Sequence, residues 1–218
     1  MNPSAFPSDP TPDHASEVSP GVTRAGLLGH EAAVLWLTGL SGAGKTTLAA
    51  ALEAELLRTR VLSVVLDGDL IRSGLSRDLG FSADDRSENI RRTGEAAGLV
   101  AAAGAVAIVA LISPFRADRR RVAERVRERG IHFAEIYVNA PLAVCEQRDP
   151  KALYRRARAG EIRDLTGIGS PYEAPAAPDL ELRTDFETIP QSLEKLTQFA
   201  LALVRPNRHA SSSLRYET

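Results

Sequence analysis

One eight-residue segment carries a glycine, lysine and threonine pattern suited to holding phosphate. The segment Gly39-Leu40-Ser41-Gly42-Ala43-Gly44-Lys45-Thr46 has the spacing G-x-x-x-x-G-K-T. Its glycines allow backbone N–H groups to turn inward around phosphate oxygens, and the helix that follows adds its positive dipole end. Lys45 can reach the β- and γ-phosphates, and the Thr46 hydroxyl stands where a Mg²⁺ ligand is needed. This pattern predicts a nucleotide site; the alternative is a glycine-rich turn between a strand and a helix.

Two carboxylates flank a glycine in Asp67-Gly68-Asp69, directly after the second apolar run. One carboxylate could hold Mg²⁺ through water, and one could accept the proton of an attacking hydroxyl. The alternative is helix capping by Asp69, which is compatible with a catalytic role. The sequence leaves open which of the two carboxylates handles the hydroxyl.

The segment from Arg72 to Arg92 is rich in arginine for a loop that enters a helix. Arginine donates paired hydrogen bonds to phosphate or sulfate, and an exposed Phe81 could stack on a purine. We therefore predict an acceptor-binding segment that uses Arg72, Phe81, Arg86 and Asn89. A solvated helix face is the preferred interpretation for at least one of the arginines at 91 and 92.

Ser113 follows the third apolar run, where its hydroxyl would lie at the depth of the phosphate loop. Pro114 is a good first residue for a helix, so N-capping is the favoured role for the Ser113 side chain. The arginine-rich residues 116–129 have an apolar stripe of Val122 and Val126, which predicts an outer, solvated helix.

A basic stretch at residues 148–160 precedes a glycine-containing loop at 165–173. This order predicts a mobile lid that closes over phosphates and excludes water. The alternative is a charged surface helix.

Short apolar runs alternate with helical patterns through the chain, which is typical of repeated β-α-β units and a mostly parallel sheet. We predict a three-layer α/β/α fold with five strands, at Val34–Leu37, Val61–Leu66, Val106–Ile112, Phe133–Val138 and Leu180–Leu182. The predicted helices are 45–58, 85–103, 116–129, 141–147 and 190–204. Ligands of such folds collect at the carboxyl ends of the strands.

Composition limits the possible partners and compartment. The 218 residues carry a formal net charge of -1 and one cysteine, Cys145. We therefore expect no nucleic-acid or membrane partner, no internal disulfide, and a cytoplasmic protein. Residues 1–21 and 206–218 are predicted to be disordered, with one domain at 22–205.

Seven motifs together resemble the adenylylsulfate kinase family, over about residues 29–182. That family has a P-loop kinase fold and phosphorylates the 3′-hydroxyl of adenosine 5′-phosphosulfate with ATP. The motifs are Trp36-Leu37-Thr38-Gly39-Leu40-Ser41-Gly42, Asp67-Gly68-Asp69, Asp78-Leu79-Gly80-Phe81-Ser82, Arg86-Ser87-Glu88-Asn89-Ile90-Arg91-Arg92, Ile112-Ser113-Pro114, Arg148-Asp149-Pro150-Lys151, and Thr166-Gly167-Ile168 with Pro171-Tyr172-Glu173.

The resemblance implies roles for individual residues. The adenylylsulfate site would comprise Asp69, Arg72, Phe81, Arg86, Asn89, Ile112, Lys151 and Leu165. The ATP site would comprise Gly39, Leu40, Ser41, Gly42, Ala43, Gly44, Lys45, Thr46, Thr47 and Arg148, with Mg²⁺ on Thr46. The catalytic set would be Lys45, Asp67, Asp69 and Ser113, which matches the family's phosphoserine position, although direct in-line transfer needs no phosphoserine.

One residue departs from the family pattern. The family usually has phenylalanine before Thr-Gly-Ile, and this chain has Leu165. Losing that aromatic should weaken stacking on the acceptor's adenine. A homodimer and an association with ATP sulfurylase are further expectations. Two other functions stay open: another small-molecule kinase, for gluconate or a nucleoside monophosphate, and a nucleotide-dependent switch without catalysis.

Overall fold

A computed structural model describes residues 23–205 of the chain. The predicted disordered segments 1–21 and 206–218 lie outside the described residues. Five strands form one sheet in the order β2-β3-β1-β4-β5, and every neighbouring pair is parallel. The strands are β1 (Ala33–Thr38), β2 (Ser63–Asp67), β3 (Val106–Ala110), β4 (His132–Asn139) and β5 (Leu180–Arg183). The predicted five-stranded parallel sheet is confirmed.

Eight helices are present in the described residues. They are α1 (Arg24–Leu28), α2 (Lys45–Arg58), α3 (Gly68–Ser73), α4 (Ala83–Ala102), α5 (Arg116–Arg127), α6 (Leu142–Arg148), α7 (Leu153–Arg158) and α8 (Ile189–Val204). The predicted range of α2 matches the observed one, and the ranges of α4, α5, α6 and α8 differ from the predictions by at most a few residues. Their type and order follow the predictions.

Two apolar clusters, one on each face of the sheet, give the fold its three layers. Leu35 and Leu37 of β1 lie in the cluster that also contains buried residues of α2 and α8. Val34 and Trp36 alternate to the opposite cluster, which contains buried residues of α4 and α5. All six residues of β1 are buried, because this central strand is covered by helices on both faces. The predicted α/β/α layering is confirmed.

Some predicted boundaries are wrong for reasons that the hydrogen bonds explain. The N–H of Val61 donates to the Leu56 carbonyl, closing the end of α2, so β2 begins only at Ser63. The third strand ends at Ala110, opposite Asp67 at the end of its partner β2. The short helices α1 and α3 were not predicted; the sequence indicated only a turn at the position of α3.

The sheet order brings the predicted chemical groups to one edge. β1 lies between β3 and β4, and β3 lies between β1 and β2. Since all strands are parallel, the segments that follow β1, β2, β3 and β4 meet at the carboxyl edge of the sheet. This edge therefore carries the glycine-rich loop, the carboxylates of Asp67 and Asp69, Ser113, and the short segment that connects β4 to α6.

Candidate active site

Close packing of the backbone requires glycine in the loop between β1 and α2. Gly39 has a φ of 152°, and a Cβ there would lie 2.3 Å from the carbonyl oxygen of Val138. Gly42 has a φ of 77°, and a Cβ there would lie 2.9 Å from the carbonyl oxygen of Cys145. A side chain at either position would collide with backbone that cannot move aside. The loop is therefore held tightly against the end of β4 and the helix α6.

Lys45, the first residue of α2, folds back over the loop. Its Nζ donates hydrogen bonds to the carbonyl oxygens of Gly39 at 2.9 Å and Leu40 at 2.7 Å. Only 8% of the residue is exposed, and this burial lowers the pKa of Lys45 from 10.5 to about 8. Because the ammonium group is costly to bury, an anionic phosphate that paired with it would stabilise its charged form.

Thr46 and Asp67 connect the loop to the end of β2. The Thr46 hydroxyl donates to Oδ2 of Asp67 at 2.7 Å. Oδ1 of Asp67 accepts from the N–H of Asp69 at 2.9 Å, so Asp67 is the N-cap of α3. The capping role considered for Asp69 is therefore wrong, because Asp69 lies inside the first turn. Thr46 and Thr47 are both exposed at the start of α2.

The oxygen atoms of Thr46 and Asp67 suit a Mg²⁺ ion. Mg²⁺ prefers hard oxygen ligands and usually keeps several waters, with one or two protein ligands plus substrate phosphates. Within residues 23–205, no group of three or more His, Cys, Asp or Glu side chains could hold a metal by itself. An ion beside Thr46 and Asp67 would thus take its remaining oxygens from phosphate and water.

Asp69 faces the segment that joins α6 to α7. The Lys151 Nζ contacts Oδ2 of Asp69, with both side chains at least half exposed. Ion pairs this exposed contribute little to stability, at most about 1 kcal/mol. The contact brings together two residues predicted to bind the acceptor, and a competing anion could separate them readily.

Phe81 is an exposed aromatic residue that makes cation–π contacts with two arginines. The residue is 62% exposed, and the Arg72 and Arg86 guanidinium groups lie 4.5 Å and 5.8 Å from the centroid of its ring. Arg72 donates to the Gly80 carbonyl at 2.8 Å, which fixes the loop just before the ring. Burial lowers the pKa of both arginines from their ordinary value. The predicted exposure of Phe81 is confirmed, and the surface around its ring is positively charged because Arg72 and Arg86 lie beside it.

Arg86 uses its guanidinium to hold protein groups together. Its Nε donates to the Phe81 carbonyl at 2.9 Å, and its two terminal nitrogens donate to the Thr166 hydroxyl at 3.0 Å and the Asp164 carbonyl at 2.6 Å. It therefore joins the Phe81 region to the chain near residue 165. Direct contact between Arg86 and an acceptor stays a prediction.

Asn89 lies one helical turn after Arg86 on α4 and is 4% exposed. Its side-chain oxygen has no hydrogen-bond partner among the described residues. A buried acceptor without a partner is costly, and such groups are uncommon in native proteins. A ligand that donates a hydrogen bond here would remove this cost, in agreement with the predicted binding role.

Ser113 is buried and does not cap a helix. Its backbone φ is 41°, an unusual value for a residue with a side chain, and it is 3% exposed. The indole N–H of Trp36 donates to its Oγ at 3.0 Å. Phe115 is the N-cap of α5, without a side-chain hydrogen bond. The favoured capping role of Ser113 is therefore wrong. The neighbouring Ile112 is half-buried, and its carbonyl accepts from the Thr38 hydroxyl at 2.7 Å.

The predicted basic helix at 148–160 is interrupted. α6 ends at Arg148, and Asp149 and Ala152 both have positive φ angles, of 21° and 54°. The Asp149 carboxylate accepts from the N–H groups of Tyr154 at 3.1 Å and Arg155 at 3.0 Å, which starts the new helix α7. That the region moves as a lid stays a prediction.

The helix α7 is tied to the phosphate loop on one side and paired on the other. The Tyr154 hydroxyl donates to the Ser41 carbonyl at 2.9 Å. Arg156 pairs with Glu161 and Arg158 pairs with Glu146. These ion pairs favour a surface role for the two arginines, as the alternative interpretation of this segment proposed.

Arg148 lies beside the phosphate loop, next to a residue that sequence reasoning missed. It donates to the Thr184 carbonyl at 2.5 Å, and its other nitrogen lies 3.4 Å from the Gly42 carbonyl. The Thr184 hydroxyl donates to the Ala43 carbonyl at 2.8 Å. Thr184 directly follows β5, so the strand-end rule, applied to the fifth strand, could have found it.

Leu165 is only 7% exposed and belongs to the apolar cluster on the α2 and α8 face of the sheet. Its side chain is therefore part of the core in this conformation. The adjacent Asp164 and Thr166 are the residues that Arg86 holds. A stacking role for position 165 stays a prediction.

Arg119 was expected on a solvated helix, and it is instead 2% exposed. The Nε group contacts Oε1 of Glu135, and the two terminal nitrogens donate to the carbonyls of Ser113 and Glu173. One signal could have found it: residues 119, 122 and 126 lie on one face of a helix, and the other two are apolar.

The sheet order, the glycine-rich loop that leads into α2 and the paired carboxylates at the end of β2 together define a P-loop kinase. Comparison with known proteins gives the family. The model of the family described as adenylylsulphate kinase matches residues 31–183. The chain belongs to this family, whose members are ATP-dependent kinases.

Individual relatives agree with the family match. The adenylyl-sulfate kinase of Shewanella amazonensis is 52% identical over 179 residues, which cover 82% of this chain and 89% of that protein. The structure of the Mycobacterium tuberculosis APS kinase CysC in complex with AMPPNP and APS superposes with a TM-score of 0.75 at 44% identity, covering 78% of this chain and 98% of that one. These matches favour neither a gluconate kinase nor a non-catalytic switch.

A third relative is a hexameric protein. The hexameric APS kinase from Thiobacillus denitrificans has a TM-score of 0.60 and 32% identity; the match covers 79% of this chain and 29% of that chain. None of the helices in the described part of this chain has the length and hydropathy that a membrane crossing requires.

Proposed function

We propose that this chain transfers the γ-phosphoryl group of ATP to the 3′-hydroxyl of adenosine 5′-phosphosulfate, giving 3′-phosphoadenylyl sulfate and ADP for sulfate assimilation. A bond forms between the 3′-oxygen and the γ-phosphorus, and the bond from that phosphorus to the β,γ-bridging oxygen breaks. The hydroxyl proton leaves to a carboxylate and then to solvent. Such transfer depends on positioning and on stabilising charge at the phosphoryl oxygens.

The donor side of the site is formed by the loop from Gly39 to Thr46. Its inward N–H groups would hold the β-phosphate, and Lys45 would leave the carbonyls of Gly39 and Leu40 to neutralise the β- and γ-phosphates. Arg148, Thr184 and Thr47 border the loop. When bound, Mg²⁺ would neutralise charge on the phosphate oxygens; Thr46 and Asp67 would hold it.

The acceptor side is formed by residues beyond the end of β2. Asp69 would accept the proton of the 3′-hydroxyl, since Asp67 is already committed to Thr46 and to the cap of α3. Lys151 and Arg72 supply positive charge for the phosphosulfate group. Phe81 offers a ring face to the adenine, and the unpaired Asn89 oxygen offers an acceptor for a donor group of the nucleotide.

A single observation supports this division most strongly. Two carboxylates, separated by one glycine, face different partners: Asp67 contacts Thr46 of the phosphate loop, and Asp69 contacts Lys151. The donor and acceptor sides therefore meet between adjacent side chains. In-line phosphoryl transfer requires such a meeting point.

The test is the rate of ADP release from Mg-ATP with four acceptor conditions: adenylylsulfate, gluconate, a nucleoside monophosphate, and none. We expect rapid release only with adenylylsulfate. Faster release with gluconate or the monophosphate would replace the proposed acceptor, and tight ATP binding without release under any condition would indicate a switch.

We also propose two protein partners, a further copy of this chain and an ATP sulfurylase. Self-association of this chain is supported by its similarity to an APS kinase from Thiobacillus denitrificans that is hexameric. Association with an ATP sulfurylase is a separate proposal, because that enzyme makes the acceptor. Sedimentation velocity of this chain alone, and then with a sulfurylase, would test both.

A further inference from the structure

Arg119 of α5 is a buried cation, and each of its three guanidinium nitrogens has a hydrogen-bond partner. It is 2% exposed, its Nε contacts Oε1 of Glu135 on β4, and its terminal nitrogens donate to the Ser113 carbonyl at 2.6 Å and the Glu173 carbonyl at 2.8 Å. A buried charge is retained only when it is paired and hydrogen-bonded. These contacts join β4 to two loops that come together only through the fold.

The first of these loops is under backbone strain. Ser113 has a φ of 41°, which side-chain-bearing residues rarely adopt and which surrounding contacts must hold in place. Arg119 holds the carbonyl of this residue, and Trp36 holds its Oγ. The preceding residue, Ile112, belongs to the predicted acceptor site.

The second loop, residues 164–173, is anchored at both ends by buried arginines. Arg86 binds the Asp164 carbonyl and the Thr166 hydroxyl at its start, and Arg119 binds the Glu173 carbonyl at its end. The end is fixed further by the Glu173 N–H, which donates to the Pro114 carbonyl at 2.8 Å. The 164–173 loop thus spans from the Phe81 region to the Ser113 region.

We infer that Arg119 is a positioning residue for the acceptor: it fixes the Ser113 backbone and the end of the 164–173 loop so that Ile112 and the Arg86 region face adenylylsulfate correctly. The inference depends on the proposed function. Arginine is required because its planar fork reaches two carbonyls and one carboxylate at once, whereas a lysine ammonium is a single point charge. The phosphate loop is held instead by the hydroxyls of Tyr154 and Thr184, and none of the hydrogen-bond partners of Arg119 in the described residues belongs to that loop.

The test compares initial rates of the full chain and the variant Arg119→Lys, with adenylylsulfate and ATP varied in turn. Arg120→Met is the matched control, since Arg120 is the next residue on α5 and its side chain is 73% exposed. We expect Arg119→Lys to raise KM for adenylylsulfate about tenfold, with KM for ATP changed less than about twofold. The control should match the unmodified chain in both constants.

The outcomes separate the two proposals. If the unmodified chain does not phosphorylate adenylylsulfate, the proposed function fails. If it does and a folded Arg119→Lys keeps the same KM for adenylylsulfate, or raises both KM values equally, the positioning role is overturned. If Arg119→Lys does not fold, Glu135→Gln decides: it keeps an oxygen acceptor but removes the counter-ion, and a KM for adenylylsulfate that does not rise would overturn the role.

Discussion

The Thr46 hydroxyl donates to Oδ2 of Asp67 at 2.7 Å, which couples the first turn of α2 to the end of β2. The same carboxylate caps α3 through its other oxygen. The Asp67 side chain therefore has two roles, one at the proposed Mg²⁺ site and one as the N-cap of α3. A substitution that keeps the cap but removes the charge can separate the two roles.

Asp67→Asn should preserve the fold and weaken the response to Mg²⁺. Asparagine caps helices about as well as aspartate, so the melting temperature should change little. Loss of the carboxylate charge should raise the Mg²⁺ concentration for half-maximal rate about tenfold. Calorimetry of ADP binding with and without Mg²⁺ gives a readout independent of turnover. An unchanged Mg²⁺ dependence in both assays would remove Asp67 from the metal site.

Lys45→Ala should leave a folded protein with strongly reduced turnover. The variant loses the nearest cation to the transferred group, and removing one such electrostatic contact costs about 100-fold to 1,000-fold in kcat. Measured kcat and thermal melting together test this expectation. A folded variant within about threefold of the original kcat would refute the role given to Lys45.

Nucleotide binding should take up protons at alkaline pH. Burial lowers the pKa of Lys45 to about 8, so above that pH the free protein carries mostly the neutral amine. Phosphate favours the charged form and raises the pKa, so binding of ADP near a pH of about 8.5 should be accompanied by proton uptake. Calorimetry in two buffers of different ionisation enthalpy measures it. If the Lys45→Met variant takes up the same number of protons on binding ADP, the protons bind to a group other than Lys45.

Ser113→Ala should keep most activity but lose stability. The substitution leaves the buried Trp36 N–H without its partner, which costs about 1–3 kcal/mol. For a chain of this size the melting temperature should fall by about 2–4 °C per kcal/mol. Direct transfer from ATP needs no phosphoserine, so kcat should stay close to the original. Complete loss of activity with unchanged melting would instead favour an obligatory phosphoserine.

Phe81→Leu should weaken binding of adenylylsulfate by about 2-fold to 10-fold, the loss expected from one aromatic stacking contact. Phe186→Leu is a matched control: Phe186 is 78% exposed and has the Arg183 guanidinium 4.6 Å from its ring centroid. Acceptor affinity measured by calorimetry should fall only in the first variant. Equal effects of both substitutions would mean that Phe81 does not face the acceptor.

Local patterns predicted much of the fold and the position of the phosphate loop within it. The helix α2 has its predicted range because the phosphate loop fixes its start at Lys45 and the Val61 N–H closes its end. The parallel order of strands follows from alternating apolar runs and helical patterns. The phosphate loop could be located from its glycines, because the backbone angles and close contacts at Gly39 and Gly42 exclude side chains.

The missed features depend on contacts between distant segments. Arg119 lies in a run of charged residues; its helical spacing with Val122 and Val126 indicates a buried face, but its partners Ser113, Glu135 and Glu173 come from three distant segments. The Ser113 hydroxyl was expected to cap α5, and it pairs with Trp36, which is 77 residues away in the chain. No local pattern contains these partners.

The central claim is tested most directly by locating the transferred phosphate. The full chain is incubated with Mg-ATP and adenylylsulfate, and the product is examined by proton-coupled phosphorus NMR while ADP is measured. We predict one new phosphorus signal coupled to the ribose H3′, formed in equal amount to ADP. ADP that forms without consumption of adenylylsulfate, or a new phosphorus signal without coupling to H3′, would contradict the proposed function.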